Sequence, residues 1–320
     1  MTLDPVAAPS TAQCKVVLPD LGECFEVFGD RIRNVLTSQD TNDRFAVIEA
    51  QTPAGSGPPL HVNSREDGLF IVQNGRYEFE IGSERIEAAP GAVVFIPREV
   101  PHTFWVAGNE PGRVLTCVWP GGYDRFFRCC SREFDTGAPD IHNVFRIGSE
   151  HGVTFLTAEG AEAHMAQRER GVGLQTRVVH ASEGENAALE GSQVRFVLTA
   201  ADTAGQCALL EMTAQPGCGA PLHTHSREDE VFIVQSGCYQ FQLGDRNLEA
   251  GPQTVIYAAC GVPHAFRVMS AEPGQMLVLT VPGAFEQYWR RCGEFGVAPD
   301  SGTAAEIGAE FGLSYPSAAR

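Results

Sequence analysis

Through the first half of the chain the apolar residues fall in short blocks: Phe45 to Ala50, Leu69 to Gln73, Tyr77 to Ile81, Ala92 to Ile96, Thr103 to Val106 and Val114 to Trp119. Gly, Pro, Asn or Asp bounds them. Blocks of this length between turn residues predict β-strands, and their spacing suits a sandwich or small barrel of antiparallel strands. Asn74-Gly75 lies between two blocks, and Ser236-Gly237 has the same setting in the second half. A residue free to take positive φ at that place predicts a hairpin. Helical stretches follow the strands at Tyr123 to Cys130 and at Phe285 to Cys292. Their aromatics, Phe126, Phe127, Tyr288 and Trp289, read as packing against the strands rather than as chemistry.

The second half repeats the first. A shift of 162 positions lays PPLHVNSREDGLFIVQNGRYEFEIG, which contains His61, over APLHTHSREDEVFIVQSGCYQFQLG, which contains His223. The same shift carries Val16-Val17 onto Val178-Val179 and Cys130 onto Cys292, with no gap from about residue 13 to residue 130. Past Cys130 the shift becomes 160, which sets Ala138-Pro139-Asp140 against Ala298-Pro299-Asp300 and Gly152 against Gly312. Such a repeat means one structural unit written twice. The length of 320 residues agrees, at about 150 per domain. The seam falls near residues 156–174, in the polar run TAEGAEAHMAQRERGVG, so the expected domains are 1–155 and 156–320.

Composition narrows the classes of function. No stretch approaches the roughly 18 uninterrupted apolar residues of a membrane span. With 23 basic against 40 acidic side chains, net −17, and no stripe of Lys or Arg, nucleic acid is excluded as a partner. The N-terminal MTLDPVAAPSTAQCKVVLPDL has no basic and apolar segments of a secretory signal, so a cytoplasmic location is expected. Ten cysteines without a C-x-x-C pair read as free, mostly buried thiols.

The chemistry concentrates in the second copy. His223 and His225 stand two apart, so on a strand both imidazoles leave one face. Glu230 opens the next strand, and His264 lies on a later one after Gly261-Val262-Pro263. A His-x-His pair alone is often just two satisfied polar residues. Three imidazoles and a carboxylate together make a mixed N/O site suited to one divalent iron, manganese, nickel, cobalt or copper ion per chain, with positions open to exogenous ligands. A structural zinc site would more often recruit thiolates.

The run Gly217-x5-His223-x-His225-x4-Glu230-x6-Gly237 matches the first cupin signature at every fixed position. The second signature is met at Gly261 and His264, while Gln253, Ala259 and Val268 stand where Gly, Pro and Asn are usual. The first copy keeps Gly91, Pro97 and His102 of that signature and departs at Glu99 and Val106. The chain thus resembles a bicupin, and its paired modules resemble the quercetin 2,3-dioxygenase-like group. That resemblance implies an all-β fold of two tandem cupin barrels (double-stranded β-helices, or jelly rolls), each followed by a short helical segment. It also implies a metal-dependent dioxygenase that takes dioxygen and a small phenolic or enolisable substrate, with Glu230 accepting the substrate's hydroxyl proton. Cupins also include isomerases, lyases and non-enzymatic metal-dependent binders, and these readings stay open, as does assembly into a homo-oligomer.

Residues in phase with the ligands, Phe232, Val234, Phe266 and Val268, are expected to line the pocket. Their first-copy equivalents are Phe70, Val72, Phe104 and Val106, so a metal-free pocket there can still hold an apolar ligand. The first copy retains His61 and His102, but Asn63 replaces the second histidine and Gly68 the glutamate. Glu66 and Asp67 do not repair the set, because their counterparts Glu228 and Asp229 already stand beside Glu230 in the intact copy. The expectation is a degenerate site at His61, Asn63 and His102 that has lost its metal.

Overall fold

The structure, a computed structural model, describes residues 14–134, 139–168, 173–297 and 301–315. Ala138 and Ala298-Pro299-Asp300 of the drifted repeat, and residues 169–172 of the seam, lie outside the described residues.

One compact unit comprises Asp20–Gly184 with Ala201–Ala204. It contains a seven-stranded sheet in the order Arg177–Val179, Val93–Ile96, Asp67–Asn74, Gly112–Trp119, Ala46–Thr52, Asp30–Leu36, Glu23–Val27. The second sheet has five strands, ordered Val153–Phe155, His61–Asn63, His102–Ala107, Arg76–Ile81, Glu84–Ala88. The alternation seen in the sequence reappears as burial: Tyr77, Phe79 and Ile81 are buried while Arg76 and Glu80 are exposed. On the neighbouring strand His102, Phe104 and Val106 point into the same core. The core lies between two open sheets, so the module is a jelly roll that does not close into a hydrogen-bonded barrel.

The other unit comprises Glu185–Ala200 and Gly205 onward, together with the stretch ending at Pro19. Its sheets repeat the plan. The larger runs Lys15–Val17, Val255–Ala258, Asp229–Ser236, Gly274–Val281, Ala208–Ala214, Ser192–Leu198, Glu185–Leu189, and the smaller runs Arg246–Ala250, Tyr239–Leu243, His264–Val268, Gly219–His225, Leu313–Ser314.

Three features differ from the sequence reading. The expected boundary at residue 155 falls inside the first unit, because the helix Ala158–Arg168 and the strand Arg177–Val179 belong to it. Asn74-Gly75 and Ser236-Gly237 close no hairpin. Asp67–Asn74 and Arg76–Ile81 lie in different sheets, as do Asp229–Ser236 and Tyr239–Leu243, so each glycine turns the chain from one sheet into the other. Gly75 and Gly237 do take positive φ, 79° and 82°. A Cβ on either would lie 2.7 or 2.8 Å from the Cα of Gly112 or Gly274, which leaves no room for a side chain.

There is also more helix than expected. Tyr123–Phe134 extends the first predicted helix, and a short 3-10 turn at Gly283–Phe285 leads into Glu286–Phe295. The helices Ile141–Glu150 and Gly302–Glu310 were not legible from apolar periodicity. They start at caps, with Asp140 accepting from His142 N at 2.9 Å and Ser301 accepting from Ala304 N at 3.0 Å. All ten cysteines are free, but Cys117, Cys130, Cys207 and Cys292 are the buried ones and Cys24 is exposed. Among the described residues no helix is long and apolar enough to cross a membrane.

Candidate metal centre

His223 and His225 end the strand Gly219–His225, Glu230 is the second residue of Asp229–Ser236, and His264 opens His264–Val268. The register sets His223 directly opposite His264. One potential ligand atom from each of the four residues lies within 4.8 Å of the others, and all four side chains are buried. Among the described residues this is the only His, Cys, Asp and Glu group with that geometry.

The backbone aims the rings. His223 Nδ1 donates to Pro221 O at 2.7 Å and His264 Nδ1 donates to Val262 O at 2.9 Å. Both rings therefore present Nε2 to the centre. Glu230 Oε2 lies 2.7 Å from His264 Nε2 and 3.1 Å from His225 Nε2. Glu228 stands 3.4 Å from His225 Nδ1 on the outer side of that ring. Asp229 accepts a hydrogen bond from Cys260 N at 2.7 Å and so ties down the loop that leads to His264.

Burial and mutual charge divide the titrations. Burial, the proximity of His264 and that of His225 hold His223 down at about 3 against the pull of Glu230. Burial would depress His225 too, but the carboxylates of Glu230 and Glu228 outweigh it and raise that imidazole to about 9. Burial alone would raise the Glu230 carboxyl, yet His225 and His264 hold it well below the usual range. The donor set fits a divalent transition ion: His225 is buried with neither ring nitrogen in a hydrogen bond, and three imidazoles converge on one carboxylate.

Beside the cluster lies a cavity with about 390 Å³ of empty space, part of it open to solvent. His223 and Glu230 form its polar end, and Phe232 and Phe266 are among the residues that line it. Val234 and Val268 do not. They are buried further along the strands, behind the aromatic contacts of Phe232 and Phe266 with Phe241 and of Phe266 with Tyr239. The same holds in the first module, where Phe70 and Phe104 line a cavity and Val72 and Val106 do not.

The helical aromatics need a correction as well. Phe285, Tyr288 and Trp289 wall the second cavity, and their repeat equivalents Tyr123, Phe126 and Phe127 wall the first. Leu313 and Tyr315 complete the second wall and correspond to Val153 and Phe155. The pairing of Gly152 with Gly312 was the signal for them, since it carries the repeat into the short strand that follows.

The cupin domain family matches residues 48–119 and 210–280, once in each repeat. The chain is a bicupin. Quercetin 2,3-dioxygenase of Bacillus subtilis is 21% identical over 281 residues, covering 84% of the bicupin and 82% of that protein. Among solved structures, an oxalate decarboxylase of Bacillus subtilis aligns at a TM-score of 0.60 with 16% identity, over 87% of the bicupin and 80% of that chain. The formate complex of Lactobacillus farciminis oxalate decarboxylase aligns at 0.60 with 13% identity, over 86% and 88%. The decarboxylase of Bacillus subtilis has Mn(II) centres. At such identities the structural likeness shows the fold, and the relatives' activities span two reaction classes.

In the first module His61 and His102 keep the positions of His223 and His264, with ring centroids 4.4 Å apart. Asn63 occupies the place of His225. Gly68 occupies that of Glu230, where a Cβ would meet the Phe70 ring at 3.1 Å. The ring edge of Phe70 thus covers the side of the site from which the carboxylate reaches in the second module.

Proposed function

We propose that this bicupin is a dioxygenase of small phenolic or enolisable compounds that holds one divalent transition-metal ion per chain at His223, His225, Glu230 and His264. The observation that carries the reading is a buried three-histidine, one-glutamate cluster at the polar end of an apolar cavity. The wall also favours this substrate class over a small dianion such as oxalate: none of the described lining residues is Arg or Lys, while Met212, Phe232, Phe266, Phe285 and Trp289 offer apolar contact.

A bound ion would supply Lewis acidity and lower the pKa of a substrate hydroxyl. The chain's own residues do the rest. The carbonyls of Pro221 and Val262 fix the tautomers of His223 and His264, so their Nε2 lone pairs face inward. Phe285 packs edge-on against His225 at 4.3 Å and excludes water from that side. Glu230, at the polar end of the cavity, offers the carboxylate oxygen that accepts the substrate's proton. The deprotonated substrate is then the electron-rich partner for dioxygen.

The test measures metal content and oxygen uptake on one preparation against flavonols, β-diketones and catechols. Oxygen consumption with substrate is expected, and Glu230→Gln should slow turnover by on the order of a hundredfold at retained metal. Undiminished anaerobic turnover would reassign the protein as an isomerase or lyase. Saturable binding without product would make it a binder.

A further inference from the structure

We propose that the first module is a second small-molecule site, metal-free, which takes a neutral planar aromatic compound through a hydroxyl group. Its cavity encloses about 790 Å³ of empty space, part of it open to solvent, against about 390 Å³ beside the metal centre.

The absence of metal chemistry follows from Asn63 and Gly68. What replaces it is a set of acceptors. His61 Nδ1 donates to Pro59 O at 2.8 Å and His102 Nδ1 donates to Val100 O at 2.8 Å, so each ring keeps an Nε2 lone pair. Asn63 Oδ1 and Asp30 Oδ1, both of the cavity lining, are buried with no hydrogen-bond partner, and so is Nε2 of His102, whose ring packs on that of the lining residue His61. Burial and the neighbouring His61 hold His102 down at about 3, so its ring is neutral at ordinary pH.

Buried acceptors without donors are costly, and a ligand that brings a donor relieves them. They also repel an anion, since the approaching charge would meet lone pairs and the Asp30 carboxyl. The rest of the wall fixes the shape of the guest. Phe70, Phe104, Phe126, Phe127 and Phe155 present ring faces and edges, which favour a flat aromatic body. The guest is therefore aromatic, uncharged and hydroxylated.

The experiment titrates the metal-loaded full-length chain with 2-naphthol by calorimetry and locates 6-bromo-2-naphthol in crystals by the anomalous signal of bromine. Saturable binding is expected, with bromine among Phe70, Phe104 and Phe155. Naphthalene and 2-naphthoate should each bind at least tenfold more weakly than 2-naphthol. Asn63→Leu should weaken 2-naphthol at least tenfold and leave naphthalene within twofold. Ala50→Phe, which fills the cavity from its wall, should remove the bromine signal while the second module keeps its metal. Bromine confined to the second module or to the surface overturns the proposal. So does unchanged 2-naphthol affinity in Asn63→Leu, or tighter binding of 2-naphthoate or benzyltrimethylammonium. Should either variant fail to fold, the bromine position and the ligand ranking on the unaltered chain decide alone.

Discussion

Glu66 shows what one substitution elsewhere leaves behind. Its counterpart Glu228 has the His225 ring at 3.4 Å, but in the first module that ring is replaced by Asn63, and Glu66 Oε2 is buried with no hydrogen-bond partner. Burial pushes the Glu66 carboxyl up to about 7, against weaker opposition from Arg65 and Arg98. An acid whose folded value is raised binds its proton more tightly in the folded chain. Its contribution to stability is fully present below the ordinary carboxyl value of 4.5 and is lost as the pH rises through about 7. Asp30, raised by burial to about 6, acts in the same direction. At Glu66 the loss is expected to reach about 3 kcal/mol by pH 8. Glu66→Gln keeps the shape and removes the charge, so the variant should melt higher than the parent at pH 8 and close to it at pH 5. Thermal melts of both proteins at the two pH values test this, and an identical pH dependence would show that Glu66 is not strained by its charge.

At the scale of the element, the glycine corners separate conformational freedom from close approach. Gly237 has φ of 82° and its added Cβ would meet Gly274 Cα at 2.8 Å, whereas Gly244 has φ of 59° with nothing within 4 Å. Gly237→Ala should cost about 2–3 kcal/mol, and Gly244→Ala about 1 kcal/mol, because the second substitution strains only the backbone. Denaturant unfolding of the two variants measures the difference, and equal losses would mean that the corner is not tightly packed. These same corners mark the limit of what the sequence discloses. The strands were legible because alternation between Tyr77, Phe79 and Ile81 and their polar neighbours is a local pattern. The sheet that receives the next strand is not local: Asn74-Gly75 announces a turn but carries no information about its partner. His223, His225, Glu230 and His264 were legible because their spacing within two short motifs survives in the chain. The walls formed by Tyr288 and Trp289 were not, since an aromatic on an amphipathic helix buries apolar area equally well against a sheet or over a cavity.

At the scale of the molecule, each repeat gives its leading strand to the other sheet. Lys15–Val17 pairs with Val255–Ala258, Lys15 opposite Tyr257 and Val17 opposite Val255. Arg177–Val179, the same segment one repeat later, pairs with Val93–Ile96, Arg177 opposite Phe95 and Val179 opposite Val93. The sequence shows that these segments are equivalent but not that they cross over. A chain cut to residues 156–320 therefore loses the strand at the edge of the sheet that carries Glu230. Val255–Ala258, buried along its whole length and paired on its other side with Glu230 to Ile233, becomes an open edge of apolar residues. The fragment also retains Arg177–Val179 with no edge to join. An unpaired apolar edge and a loose apolar strand are complementary, so copies of the fragment are expected to pair with one another. Light scattering after size exclusion should report oligomers or aggregate, and restoring the residues from Cys14 to Pro19 ahead of the fragment on a flexible linker should shift the population toward monomer. A fragment that is monomeric without that strand and keeps its full metal content would show that the crossed strand is dispensable to the module that holds the histidine cluster.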